Sequence, residues 1–237
     1  MFENLLEGKA EDFINMKIEL IPVIEITNYD QDIPMPPSGP HWEFPDEWEN
    51  YHISASLKVG FSESFTPYFK SSSLYRLSEI SDEDLLKIIE REISELETDE
   101  DFEIEDLLSP LDGGYILKID DVDKYFPQCC TDLSDIKDWE NLLDNDEPHF
   151  YIGHPYPKVE KSGNKIVFDF LNSPIKENYA PPVFEDRIEV DKESLKIAIE
   201  SAKNELHCFA QQLIKINISQ NLNIPAIDKI LIYGVKE

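Results

Sequence analysis

The chain has 237 residues, 41% of them hydrophobic, and its 50 acidic side chains against 21 basic ones give a formal charge of −29. A chain this acidic lacks the basic footprint that nucleic acid or an anionic membrane surface requires. Its 16 prolines exclude a long coiled coil, and its aromatic and β-branched content excludes a wholly disordered polymer.

The opening MFENLLEGKAEDF is acidic where a secretion signal is basic, so no signal peptide is expected. Met16–Ile26 is rich in Ile and Val and reads as a strand, with Pro22 suggesting an edge position or a bulge. A loop rich in Pro, Asp and aromatic residues follows, from Asn28 to Asn50. Over Tyr51–Phe61, apolar Ile53, Ala55, Leu57, Val59 and Phe61 alternate with His52, Ser54, Ser56 and Lys58, the period of a half-buried strand. Ser81 caps an expected helix with Asp84 at its third position, and Leu85, Ile89, Ile93 and Leu96 fall on one face up to about Glu97. Thr98–Asp106 has too few apolar residues to anchor itself and reads as an acidic loop.

Asp112-Gly113-Gly114 is a turn signal before a short strand at Tyr115–Ile119. Thr131 or Asp132 caps a helix through Ile136, Trp139, Leu142 and Leu143. Strands are expected at Phe150–Ile152, Ile166–Leu171 and Arg187–Val190, with KSGN as a hairpin tip after Lys158–Glu160. Asp191 then caps the longest helix, whose stripe runs Leu195, Ile199, Ala202, Leu206, Phe209, Leu213 and Ile216. Pro225 ends it, and Lys229–Tyr233 reads as a closing strand. The order predicts one α+β domain, a mixed or antiparallel sheet packed with two or three helices, with a loop-rich acidic part over about residues 1–150.

No apolar run approaches the roughly 18 residues that span a bilayer, so no membrane association is expected. Charge is polarised along the chain: residues 1–150 hold 38 acids and 10 bases, residues 151–237 hold 12 and 11. That asymmetry suggests either an interaction surface or plain solubilisation. The aromatic–acidic stretch HWEFPDEWENY offers Trp42 and Trp48 as anchors among Glu43, Asp46, Glu47 and Glu49, a combination suited to a basic protein partner; the competing reading is a loop plug packed on the sheet.

Three cysteines, two of them adjacent, fit a reducing compartment better than a disulfide framework, so a cytoplasmic location is expected. Cys129 and Cys130, with His149 and His154 downstream, have the residue types for a thiol nucleophile and its base, and Asp132 or Asp135 could orient the imidazole. The same types suit zinc, but no CxxC or HExxH spacing is present. A doublet before a helix is more often buried structure, and acidic surroundings oppose thiol activation. DDVDK at 120–124 lacks the glycine and distal Glu of a calcium loop. The eight glycines form no phosphate-binding pattern, so no cofactor is implied.

PQCCTDLSDIKDWENL (127–142) and FYIGHPYPKV (150–159) resemble segments of bacterial immunity-type proteins that accompany polymorphic toxins, through Cys129, Cys130, Asp132, Trp139, Gly153, His154 and Pro155. The resemblance is confined to these two segments and implies a small acidic cytoplasmic protein that neutralises a toxin by direct binding. The sequence thus favours a non-enzymatic binding role, with a hydrolase or metal-assisted enzyme at the Cys129/Cys130 and His149/His154 region as the alternative.

Overall fold

The computed structural model describes residues 16–27, 32–95, 108–144 and 150–235. Strand β1 (Ile18–Glu25) buries Ile18, Leu20, Ile21, Val23 and Ile24 and runs through the middle of a four-stranded antiparallel sheet, not along its edge. The order is β2-β1-β3-β4, with β2 at Leu74–Arg76, β3 at Gly113–Ile119 and β4 at Val122–Tyr125. Pro22 is tolerated there for a local reason. Glu25 donates its N–H towards β3 and Ile26 towards β2, so the missing N–H of Pro22 falls on the β2 side, where pairing begins only at Val23.

The Asp-Gly-Gly signal does not make a turn. Gly113 and Gly114 open β3 opposite Ile24 and Val23. A Cβ at Gly113 would lie 2.2 Å from the Val23 carbonyl oxygen, so glycine is what lets the strands meet. The tight turn comes at Asp120-Asp121, both with positive φ (47° and 64°), joining β3 to β4. Lys17 binds both aspartates, through its N–H to Asp120 (3.0 Å) and its ammonium to Asp121 (2.8 Å).

Helix α1 (Pro45–Lys58) replaces the strand expected over 51–61 and takes in the end of the expected loop. Ile53 and Leu57 are also four residues apart, so the alternation fits a helix, and these two are 49% and 47% exposed. The buried face is Tyr51, His52, Ala55 and Ser56. Pro45 in the first turn, followed by Asp46 and Glu47, is a helix-start signal that the apolar alternation masks. Helix α2 (Asp82–Glu95) starts as expected: the Asp84 N–H donates to Ser81 Oγ (3.1 Å). Buried Asp84 also accepts from Ser81 Oγ (2.6 Å) and from the N–H and hydroxyl of Ser62 (both 2.8 Å), tying the chain after α1 to α2. The end of that helix near Glu97 and the loop at 98–106 lie outside the described residues.

A second antiparallel sheet has the order β5-β6-β7, at Lys158–Ser162, Lys165–Asp169 and Arg187–Asp191. Helix α3 (Ile136–Asp144) precedes it, and α4 (Lys192–Ser219) follows, with the Ser194 N–H donating to Asp191 (2.9 Å). The whole predicted stripe of α4 is buried. Arg76 of β2 grips Glu205 of α4 with two hydrogen bonds (3.3 and 3.1 Å). Residues 150–152 form no strand, and the closing strand is instead helix α5 (Ile227–Tyr233), capped by Gly234 with φ 64°. A short apolar run buried on all sides, as Ile227, Ile230, Leu231 and Ile232 are, has no period that separates helix from strand. The fold is α+β with five α-helices among the described residues, and one hydrophobic cluster runs through both sheets and α2 to α5.

Candidate functional site

The link from β4 to α3 carries Cys129 and Cys130 and is held by its neighbours at several points. Thr131 accepts from the Gly113 N–H at its carbonyl (3.0 Å), and its hydroxyl donates to the carbonyls of Gln128 (2.8 Å) and Gly113. The Tyr125 hydroxyl donates to the Ile152 carbonyl (3.1 Å), which brings the 150–157 segment alongside. There the His154 N–H donates to the Cys129 carbonyl (3.1 Å). Gly153 (φ 82°) permits the approach, since a Cβ would lie 2.5 Å from the Cys129 oxygen. A third segment is pinned by the Gln128 side chain, which accepts from the Ala180 N–H (2.9 Å) and donates to the Phe126 carbonyl (2.8 Å). That segment supplies Glu177.

The result is a linear chain of groups. Cys129 Sγ is 3.1 Å from Cys130 Sγ, which is 3.6 Å from His154 Nε2, and His154 Nδ1 is 2.9 Å from Glu177 Oε2. They line a cleft of about 600 Å³ with Glu25, Asp112 and Gln128. Both thiols are free and exposed rather than buried structure, and Cys130 sits at φ +66°, a backbone conformation uncommon for a side-chain-bearing residue. The contact with the Cys129 sulfur, and then that with His154, lower the pKa of Cys130 against the smaller opposing effects of burial and then of Asp112. Cys129 moves the other way, raised by its bond to Cys130, by burial and by Glu177 and Glu25. Hydrogen bonds to Glu177 and Cys130 raise His154.

Asp132 and Asp135 are not the groups that orient His154, whose nitrogens face Cys130 and Glu177. The two aspartates form a reciprocal capping box ahead of α3: the Ser134 N–H donates to Asp132 (2.7 Å) and the Asp132 N–H to Asp135 (3.3 Å). Burial, followed by the neighbouring Asp132 charge, raises Asp135 to about 7. His149 lies outside the described residues. Glu177 carries no signal in the sequence: it is one carboxylate among 50, delivered by an irregular loop. Cys129, Cys130 and His154 have ligand atoms within 4.8 Å of one another, so a soft cation such as zinc could engage the same three side chains.

The aromatic–acidic stretch is divided between surface and interior. Trp42, Glu43, Asp46 and Glu47 are exposed, while Trp48 and Glu49 are half-buried. Trp48 donates its indole N–H to the Gly39 carbonyl (2.9 Å) and packs on His52, so it serves as a plug, and Lys70 pairs with Asp46 and Glu49. Among the described residues, no helix is long and apolar enough to cross a membrane. Comparison with protein-family models, with curated proteins and with solved structures finds no match for this chain.

Proposed function

We propose that the chain is a cysteine-dependent hydrolase or acyl-transfer enzyme, with Cys130 as nucleophile, His154 as general base and Glu177 as the group that orients the imidazole. The observation that supports this reading is the chain of contacts Cys130 Sγ–His154 Nε2 and His154 Nδ1–Glu177, which fixes the tautomer and turns the second nitrogen towards the sulfur. In the first half-reaction the Cys130 sulfur attacks an acyl carbon and its proton passes to Nε2. The leaving group then departs with that proton, leaving a thioester. In the second half-reaction Nε2 takes a proton from water, the hydroxide attacks the thioester carbon, the C–S bond breaks to release the carboxylic acid, and the sulfur takes the proton back from Nε2. A small activated ester such as p-nitrophenyl acetate tests this: the reading expects stoichiometric acetylation of Cys130, lost in Cys130→Ser and slowed at least tenfold in His154→Gln. Acetylation of Cys208 as fast as Cys130 would defeat it.

A second reading is that the protein holds a basic partner in the cytoplasm, as the resemblance to immunity-type proteins implies. It draws on the −28 carried by residues 1–150 and on Trp42 standing exposed among Glu43, Asp46 and Glu47. Partner capture from a host lysate that weakens steeply as salt rises supports it; capture indifferent to salt counts against it.

A further inference from the structure

A second cleft, of about 410 Å³, opens between α1 and the segment after it. Its walls are apolar: Ile53, Leu57, Phe65 and Pro67. Phe65 is itself clamped between the rings of Phe61 and Tyr75, at 4.3 and 3.9 Å, so the wall is rigid. Three of its serines are engaged within the protein. Ser56 meets Tyr75, Ser62 meets Asp84, and Ser71 donates to the His41 carbonyl (3.2 Å). His52 differs from them. It is 7% exposed, lines the cleft, and has no hydrogen-bond partner among the described residues. Burial, reinforced by the adjacent His41, keeps its imidazole neutral down to a pH of about 4.

The imidazole edge that lines the cleft is thus available to a polar group entering it, and a ligand that met it with a hydrogen bond would replace the contact that solvent makes there. An ion is a poor candidate for that role, because no buried, unpaired charge is among the described lining residues to replace its hydration. The charged lining residues are Glu49 and Lys70, which pair with each other (3.2 Å), and exposed Glu63, whose charge disfavours anions. The volume is that of an ordinary small-molecule site. We propose that this cleft binds a neutral, mainly apolar small molecule carrying one hydroxyl group, with the hydroxyl on the His52 imidazole and the apolar body between Leu57 and Phe65. The proposal is independent of the thiol chemistry.

The test uses p-cresol as probe and the histidine ring resonances of the whole protein as readout. The expected result is a saturable shift of the His52 resonances by p-cresol, with at least tenfold weaker binding of toluene and none of p-toluate. Leu57→Trp places an indole at an exposed rim position, where folding tolerates it, and should abolish the shift. Absence of saturation by p-cresol, equal binding of toluene, or full binding by Leu57→Trp would each overturn the proposal.

Discussion

Two imidazoles in this molecule have opposite environments. His154 stands at the surface with a partner on each nitrogen, a carboxylate on one side and a thiol on the other, and its affinity for a proton is raised. His52 lines an apolar cleft beside the half-buried His41, without a hydrogen-bond partner among the described residues, and its proton affinity is lowered to a pKa of about 4. One side chain is thus tuned to exchange protons and the other to stay neutral. The difference comes from the surroundings: Cys130 and Glu177, 24 and 23 residues away, for His154, and Trp48 and His41, on or just ahead of the same helix, for His52.

Substitutions that remove one environment while sparing the other sharpen this contrast. The largest effect is expected from Gly153→Val, whose side chain would collide with the Cys129 carbonyl at a positive-φ position. It should cost about 3 kcal/mol in denaturant unfolding and abolish any enhanced reactivity of Cys130. Binding at the His52 cleft in the surviving folded fraction should persist.

Next comes pH. Unfolded histidine takes up its proton near pH 6.5, whereas His52 in the fold does so only near pH 4. The stability that its neutrality contributes is therefore complete above pH 6.5 and is lost as pH falls towards 4. Because the ring borders a solvent-filled cleft, the loss amounts to about 2 kcal/mol. His52→Phe should remove this slope, which unfolding curves at pH 7 and pH 4.5 would reveal; an unchanged difference between the two pH values contradicts the assignment.

Asp135 gives a smaller contribution of opposite sign. Its pKa is raised to about 7, so it stabilises the fold at low pH and that contribution fades as pH rises from about 4 through 7. Asp135→Asn should flatten the stability profile between about pH 4 and pH 7 by about 1 kcal/mol or more, with the Ser134 cap intact. The smallest change is expected from Glu177→Gln, which keeps a hydrogen bond but removes the charge that raises His154. The upper pH limit of the imidazolium should move down, and Cys130 reactivity at neutral pH should fall only several-fold.

These contrasts were unevenly legible in the sequence. The stripe of α4, the Ser81 cap of α2 and the strand at β1 were readable because periodicity and capping are local. Helix α1 was not, because Ile53 and Leu57 satisfy both a period of two and a spacing of four, and burial alone separates them. The CC doublet and His154 were visible as chemistry, but their convergence depends on Gly153, Thr131 and Tyr125 closing two segments together. Glu177 was invisible because the amide of Gln128 fixes its loop through backbone contacts at Ala180, which no residue pattern announces.

The central claim is that His154, held by Glu177, activates Cys130. It is tested most directly by the pH dependence of iodoacetamide alkylation at Cys130, read by fragmentation mass spectrometry in the wild-type protein and in His154→Gln. The account predicts a half-point below that of N-acetylcysteine in the wild type and an upward shift in the variant. Coincident profiles for wild type, variant and free thiol would contradict it.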